Sequence, residues 1–554
     1  MIYERKPWLK KYPKGVPTSL EYPEVALDSL LSDASKRFPK KAATVFYGAR
    51  MNYEELDKLA TSFSVAIQNL EGCIDERIAL MLPNCPQFII AYYGIVRAGY
   101  TAVLLNPLMT EFELSELLKD SGACALVTLE AFMEKVSKAL SGTRLKHIIF
   151  TSLAGYVPMW MSLPIWLKTR PKGRVELPSN IATHSFEQML RTGDKLKARP
   201  VNPREDVAVF QYTGGTTGLP KAAMLTHFNL VSNVYQCNAW TTELRDGEEI
   251  FLCVLPFFHS YGMTACMNFG ILKGATLILT PRFDVAEVVK LISRYRVTVF
   301  IGVPSMYGVV SYYAQKSRID ITSIKACISG GAPLPERIAS EFERVTGGRL
   351  VEGYGLTEAS PITHINPIWG GEARVGSIGL PIPDTECRIV DLETGTKDVT
   401  VNEVGELIIR GPQVMKGYWN RPEETAQTIR DGWLYTGDIA KMDEDGYFYI
   451  VDRKKDLIIV DGFNVYPREV EEVLYSHPKV REAAVVGERH PVRGEIVKAY
   501  VVLREGCEAS SAEIIEFCRE RLSPHKVPRA VEFVNELPKS SVGKVLRRKL
   551  KETP

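Results

Sequence analysis

The chain has 554 residues, 45% hydrophobic and 24% charged, the balance of a globular protein long enough for two or more domains. Lys and Arg number 68 against 66 Asp and Glu, a net charge of +2 with no long basic block, so nothing favours a nucleic-acid partner. No run reaches the roughly 18 apolar residues that span a bilayer, and the opening Met1-Ile-Tyr-Glu-Arg-Lys-Pro-Trp8 lacks the apolar core of a signal peptide.

Helical periodicity covers residues 28–37 and 51–69, and short apolar runs at 77–82, 125–128 and 147–151 follow in turn. Strands separated by helices predict an α/β architecture with parallel sheets. The ten cysteines, from Cys73 to Cys518, form no C-x-x-C pair and no metal-ligand spacing. In apolar surroundings such as Phe251-Leu-Cys253-Val they read as buried free thiols in a reducing, cytoplasmic compartment.

Residues 155–167 read GYVPMWMSLPIWL and are followed by Lys168, Arg170, Lys172 and Arg174. Apolar bulk beside a basic cluster suits peripheral contact with an anionic membrane surface. A loop covering a hydrophobic site, or an oligomer contact such as a homodimer, fits the same residues. Pro158 and Pro164 argue against one long regular helix there.

Gln211-Tyr-Thr-Gly-Gly-Thr-Thr-Gly-Leu-Pro-Lys221 places three glycines, three threonine hydroxyls and a lysine between two apolar runs. Backbone N–H groups free to turn inward, hydroxyls and one positive charge suit a polyphosphate. Ala222 stands where a Walker A loop needs a hydroxyl, so this is a different phosphate loop. The strand–helix theme returns with apolar runs at 249–255, 275–280 and 297–302. Beyond about Gly371 short strand-like runs alternate with Gly, Asp and Pro turns, predicting a small, largely antiparallel subdomain to residue 452. A last unit of roughly 100 residues then carries helices at 467–476 and 511–522 and strands at 483–486 and 497–502. The charged run 452–456 reads as a linker.

Four later motifs complete the pattern: Gly353-Tyr-Gly-Leu-Thr-Glu358, Tyr435-Thr-Gly-Asp438, Asp452-Arg453 before Gly462-Phe-Asn-Val-Tyr-Pro467, and Leu537-Pro-Lys-Ser-Ser-Val-Gly-Lys544. In this order they resemble the acyl-adenylate-forming, AMP-binding superfamily over nearly the whole chain. GFNVYPREVEE and PKSSVGKVLRR look most like long-chain fatty-acid–CoA ligases. The resemblance implies an N-terminal domain (1–452) of two α/β subdomains plus a distorted β-barrel, and a small mobile α+β domain (453–554) hinged at Lys455.

The same resemblance implies ATP, Mg2+ and coenzyme A as cosubstrates and cofactor, and a carboxylic acid as the group activated. Thr213, Gly214, Gly215, Thr216, Thr217 and Lys221 would cradle the β- and γ-phosphates, with Thr217 and Glu358 toward magnesium. Gly331, Ala332, Pro333, Gly353, Tyr354 and Gly355 would form the adenine cleft, and Thr357 would touch the α-phosphate. Asp438 would bind the ribose hydroxyls, with Arg453 beside it. Lys544 would neutralise carboxylate and α-phosphate, Gly462 would line the thiol path, and His259 would stand beside the acyl carboxylate. Acyl length is weakly encoded; Phe258, Tyr261, Met263, Cys327 and Ile328 are candidate wall residues. Aryl or branched acids, or a carrier protein in place of coenzyme A, are the alternatives.

Overall fold

The computed structural model of the chain describes residues 2–73, 77–169, 175, 177–191, 195–197, 199–213, 220–460, 463–490, 494–540 and 545–551. Two compact units separate. The larger comprises Tyr12–Thr385 and Arg410–Leu434; the smaller comprises Met1–Lys11, Glu386–Ile409 and Tyr435–Pro554. The architecture is the two-domain α/β arrangement expected: large mixed sheets N-terminally and a smaller α+β part at the C-terminal end.

Two sheets build the larger unit. The eight-stranded one runs in the order Gly417–Tyr418, Lys221–Thr226, Val207–Thr213, Thr101–Leu104, Arg77–Met81, Ala125–Leu129, His147–Thr151, Ala182–Ser185. From Val207–Thr213 onward its strands are parallel. The nine-stranded sheet runs Leu380–Pro381, Ile362–Ile365, Arg349–Gly355, Ala326–Ser329, Val299–Gly302, Ile250–Cys253, Thr276–Leu279, Ala42–Phe46, Ala49–Asn52. Its six central strands are parallel, and the antiparallel pairs lie at its two edges.

Local side-chain chemistry fixes where helices start. Asn52 and Glu55 form a reciprocal capping box for Tyr53–Gln68, as Thr110 and Glu113 do for Glu111–Ser121, so two orphan N–H groups are satisfied at each start. The strands are buried on both faces, which is why they read as continuous apolar runs rather than alternating ones. Val45, Leu252, Ile278, Phe300 and Cys327 pack with helix residues Val288, Ile292 and Tyr307 on one face of the nine-stranded sheet.

In the smaller unit, Glu386–Val390, Gly405–Arg410, Trp433–Met442 and Phe448–Arg453 belong to one five-stranded sheet, matching the β-rich texture expected there. A second sheet holds Val480–His490 against Gly494–Leu503, covered by the helices Pro467–Ser476 and Ser511–Arg519.

Two local expectations change, and one motif takes a definite form. Residues Met159–Thr169 form a helix that passes through Pro164, with Pro158 just before it. The run 353–358 is the end of the strand Arg349–Gly355 followed by a 3-10 turn. Cys73 and Cys124 are joined in a disulfide across 51 residues, so the ten cysteines are not all free thiols. Only folding reveals this pair, because Cys124 N–H donates to Arg77 O and the helix before Cys73 delivers it to the same sheet end. Cys85, Cys237, Cys253, Cys266, Cys327, Cys387 and Cys518 are buried thiols as expected.

Closing a loop of this length lowers the unfolded chain's entropy by on the order of 4 kcal/mol at room temperature. We expect a non-reducing peptide map to show the Cys73–Cys124 cross-link. Cys73→Ser should lower the melting temperature, and added reductant should erase the difference from wild type.

Candidate active site

In parallel sheets ligands collect beyond the C-terminal ends of the strands. Three strands of the nine-stranded sheet send loops off that edge: Ile250–Cys253 leads to His259, Ala326–Ser329 to Gly331-Ala332-Pro333, and Arg349–Gly355 to Thr357 and Glu358. The last two strands are immediate neighbours. The structure therefore brings the adenine-cleft candidates together from segments about 20 residues apart.

Backbone fit sets several of these residues. A Cβ at Gly355 would lie 2.1 Å from Pro361 O, and one at Gly330 would lie 2.9 Å from the Tyr261 ring. Gly331 has φ +79°, a left-handed conformation that disfavours side chains. The Tyr354 ring meets His364 edge-on at 5.8 Å. His364 is fully buried and its Nδ1 lies 2.9 Å from Thr363 Oγ1; burial holds its pKa down at about 3, so it stays neutral beneath the cleft.

His259 sits in a pinned loop. Its Nδ1 accepts from Tyr261 N–H at 3.2 Å. Asn84 donates to Cys253 O and Leu255 O and accepts from Phe257 N–H, while Gln211 donates to Phe258 O at 2.7 Å. Such fixing suits a positioning role. Next to it Ser260 Oγ lies 3.2 Å from Thr357 Oγ1, joining the loops of two strands. Residues Gly262–Asn268 then form a buried π-helical turn, a distortion frequent at functional sites. Of the candidate wall residues, Tyr261 donates to Ile328 O at 2.9 Å, whereas Cys327 faces the apolar layer. Strand alternation sends Cys327 and Ile328 to opposite faces.

The glycine-rich run joins an antiparallel pair in which Thr213 stands opposite Lys221. Gly214, Gly215, Thr216 and Thr217 lie outside the described residues, as do Gly462 and Lys544. Lys221 Nζ lies 5.2 Å from the centre of the Tyr418 ring, and Tyr418 Oη donates to Glu358 Oε1 at 2.7 Å. Burial, reinforced by the Glu358 charge, pushes the Tyr418 phenol well up, so it remains a donor. Met415 N–H also donates to Glu358 O at 2.8 Å. Tyr418 was missed in the sequence; its signal is the run Met415-Lys-Gly-Tyr-Trp-Asn420, aromatic residues directly after a glycine. Two buried polar atoms in these strands, Gln211 Oε1 and Ser329 Oγ, have no hydrogen-bond partner.

In the smaller unit Asp438 and Arg453 face each other across paired strands, with Arg453 Nε 3.2 Å from Asp438 Oδ1. Asp438 is buried within a strand, and its N–H donates to Thr436 Oγ1 at 3.1 Å. Glu406 accepts from Gly437 N–H and Lys454 Nζ, tying the same backbone. Farther along, Arg547 Nη2 lies 2.9 and 2.7 Å from the Glu471 oxygens, and Nη1 is 3.3 Å from Asp456. Asp452 accepts from the N–H groups of Arg453 and Arg468, yet burial pushes its carboxyl up to about 6. Lys455 occupies the turn between these anchored residues.

A carboxylate of Glu358's kind, a hard oxygen donor, suits magnesium, which takes one or two carboxylates and completes its shell with phosphate oxygens and water. No group of three or more potential metal ligands occurs among the described residues.

The sequence matches the family described as AMP-binding enzyme over residues 31–419, and the AMP-binding enzyme C-terminal domain over residues 469–544. A long-chain-fatty-acid–CoA ligase of Bacillus subtilis (strain 168) is 45% identical over 553 residues, covering 100% of this chain and 98% of the relative. ATP-bound MatB from Rhodopseudomonas palustris superposes with a TM-score of 0.81 at 29% identity, covering 96% of this chain and 99% of that one. O-succinylbenzoate-CoA synthetase (MenE) from Bacillus subtilis, with its acyl-adenylate intermediate bound, gives 0.76 at 26% identity, covering 95% and 98%.

Two outcomes follow from this geometry. Tyr418→Phe keeps the ring beside Lys221 but removes the donor on Glu358; we expect ATP–pyrophosphate exchange to fall by about tenfold to a hundredfold with little change in melting temperature. Buried His364, at about 3 against an ordinary 6.5, takes up no proton while the unfolded chain does. Its contribution to stability is complete above 6.5 and is lost as pH falls toward 3, at most about 1.4 kcal/mol per pH unit. Melting temperature measured between those two values should drop less steeply for His364→Gln than for wild type.

Proposed function

The chain belongs to the AMP-binding enzyme family, and from that premise we propose that it activates a medium- to long-chain fatty acid with ATP and transfers the acyl group to coenzyme A. AMP-forming acid–thiol ligation is the general chemistry of this family. The observation that carries the adenylating step is the cluster of Thr357, Glu358, Tyr418 and Lys221, which sets hydroxyl, carboxylate and ammonium at one strand edge. Likeness over the full length to the Bacillus fatty-acid ligase supports the choice of acid.

In the first half-reaction a carboxylate oxygen attacks the α-phosphorus of ATP, an O–P bond forms, and the bond to pyrophosphate breaks. Both reactants are anions, so cations must stand where charge accumulates. Lys221, with Thr213, Gly214, Gly215, Thr216 and Thr217, holds the β- and γ-phosphates, and Lys544 neutralises carboxylate and α-phosphate together. Glu358, aided by Thr217, would hold a magnesium ion, which when bound offsets charge on the departing pyrophosphate. Thr357 orients the α-phosphate. Gly331, Ala332, Pro333, Gly353, Tyr354 and Gly355 take the adenine, and Asp438 accepts both ribose hydroxyls with Arg453 holding its carboxylate in place.

In the second half-reaction the thiol sulfur attacks the acyl carbonyl, a C–S bond forms, and AMP leaves with the electrons of the C–O bond. Lys544 has no part in that step, so we place a mobile C-terminal domain at residues 453–554, hinged at Lys455. Gly462 lines the thiol path, where a side chain would block the pantetheine arm. His259 stands beside the carboxylate as a positioning residue. Solved relatives of aromatic acids support an aryl-acid reading of the same machinery.

A panel from hexanoate to stearate, with benzoate and coumarate, separates the two by AMP release with and without coenzyme A. For a deep apolar pocket, kcat/KM should climb by up to about fourfold per added CH2 until the pocket is filled. Preference for benzoate over octanoate would replace the fatty-acid assignment, and absence of pyrophosphate exchange with every acid would remove adenylation itself. In the same assays Lys544→Ala should lower adenylation by about a hundredfold or more while sparing thioester formation from supplied acyl-adenylate.

A further inference from the structure

Asp120 occupies the last turn of the helix Glu111–Ser121, where the aligned peptide dipoles favour a cation over an anion. Each of its three oxygens accepts a hydrogen bond. Oδ2 accepts from Tyr212 Oη at 2.9 Å, Oδ1 from Arg421 Nη2 at 3.1 Å, and the main-chain O from Trp419 Nε1 at 3.1 Å. These donors lie 92, 301 and 299 residues away in the chain. The carboxylate side chain is only 16% exposed. An anion set where its own helix disfavours one, and met by donors from two distant segments, is a joint rather than a solvated surface charge.

Both segments lead to Lys221 and Tyr418. Tyr212 stands directly opposite Ala222, the neighbour of Lys221, in the antiparallel pair of strands. Its hydroxyl proton is shared with Leu117 O at 3.2 Å, and burial beside the Asp120 charge pushes the phenol well up, so it remains a donor. Trp419 and Arg421 follow Tyr418 in the chain, and Trp419 N–H donates to Ala222 O at 2.9 Å. The Trp419 ring packs on Phe210 with centroids 5.2 Å apart, and the Arg77 guanidinium lies 4.8 Å from its centre. Arg77 Nε also donates to Ser121 O at 2.6 Å, so a second residue fastens the helix end to the same indole.

The strand that bears Tyr418 needs such support. Gly417–Tyr418 is two residues long and lies at the edge of the eight-stranded sheet, so its own pairing supplies few hydrogen bonds. Yet Tyr418 must keep one distance to Lys221 and another to Glu358. Charges displaced by an ångström from a reacting phosphate lose rate steeply. We propose that Asp120 is a positioning residue for adenylation. Through Tyr212 on one side, and Trp419 and Arg421 on the other, it sets the spacing of the Lys221 strand from Tyr418, and so of the ammonium from Glu358. It touches no reacting atom. This role rests on the reading of Lys221 and Glu358 as the phosphate and magnesium residues, and is independent of which acid is activated. It belongs to the first half-reaction alone, because the thiol step handles neither pyrophosphate nor its counter-charges.

Three measurements on the full chain test it: calorimetric binding of magnesium-ATP, ATP–pyrophosphate exchange, and thioester formation from supplied acyl-adenylate. Asp120→Ala should weaken ATP binding and lower kcat/KM for ATP in exchange by about tenfold or more, with thioester formation kept within about twofold of wild type. Asp120→Asn keeps an oxygen for Tyr212 but loses the charge facing Arg421, so its loss should fall between. Asp120→Ala combined with Tyr212→Phe should lose less than the product of the two single losses, because both remove the same hydrogen bond. Equal loss in both half-reactions would assign Asp120 to folding alone and overturns the proposal. So do ATP affinity and exchange that match wild type in Asp120→Ala, or a double variant whose losses simply multiply. ATP affinity is read without any acid. Wild type that binds ATP but exchanges no pyrophosphate therefore removes the proposed reaction and leaves the affinity of Asp120→Ala to decide this role, whereas wild type that binds no ATP removes both.

Discussion

A phenol that donates at 2.7 Å to the Glu358 carboxylate while its ring lies 5.2 Å from Lys221 Nζ holds an anion and a cation near each other without pairing them directly. The consequence is electrostatic. A direct Lys–Glu ion pair would spend the ammonium on a protein carboxylate, whereas here the Tyr418 ring lies beside the Lys221 ammonium. The phenol can donate to Glu358 only if it keeps its proton, and burial beside Glu358 ensures that it does. Tyr418 is in turn held by a two-residue strand, Gly417–Tyr418, paired with Lys221–Thr226, so one sheet edge carries both partners.

The loops around that edge show how a site is made stiff without regular structure. Side chains satisfy backbone groups in two of them, Asn84 across the 253–257 segment and Gln211 at Phe258, and the backbone N–H of Met415 donates to Glu358 O in the third. Such bonds contribute about 1 kcal/mol each, but leaving a buried carbonyl or N–H unmade costs more, so the loops have few alternatives. Glycine enters where backbones touch. At Gly355 the neighbouring Pro361 carbonyl occupies the place a side chain would take, so the strand can run into the 3-10 turn bearing Thr357 and Glu358.

In the smaller unit buried charge is organised rather than avoided. Arg547 spans Glu471 and Asp456 with a bidentate fork, and Glu471 also accepts from Val485 N–H at 2.8 Å. Removing one member of such a group would strand the others, at a cost larger than the net contribution of the intact pair. Three separate pieces of chain, the turn after strand Phe448–Arg453, the helix Pro467–Ser476 and the last helix Arg547–Lys551, are fastened by this one guanidinium.

Much was legible in one dimension. Apolar runs bounded by turn residues located the parallel strands because those strands are buried on both faces, and helical periodicity over 51–69 located the helix Tyr53–Gln68. The glycine-rich loop and the Tyr354-to-Glu358 run stood out because their chemistry is contiguous. What the sequence alone determined, then, is whatever is decided between near neighbours: element type, the composition of each loop, and the succession of motifs that marks the family. The tertiary structure decided the partnerships between residues far apart in the chain, such as Ser260 with Thr357, Lys221 with Tyr418, and Cys73 with Cys124. It also decided which face of Met159–Thr169 meets the body and which meets water. Those outcomes depend on strand order and packing, and a linear pattern of residue types carries no record of which strand lies beside which.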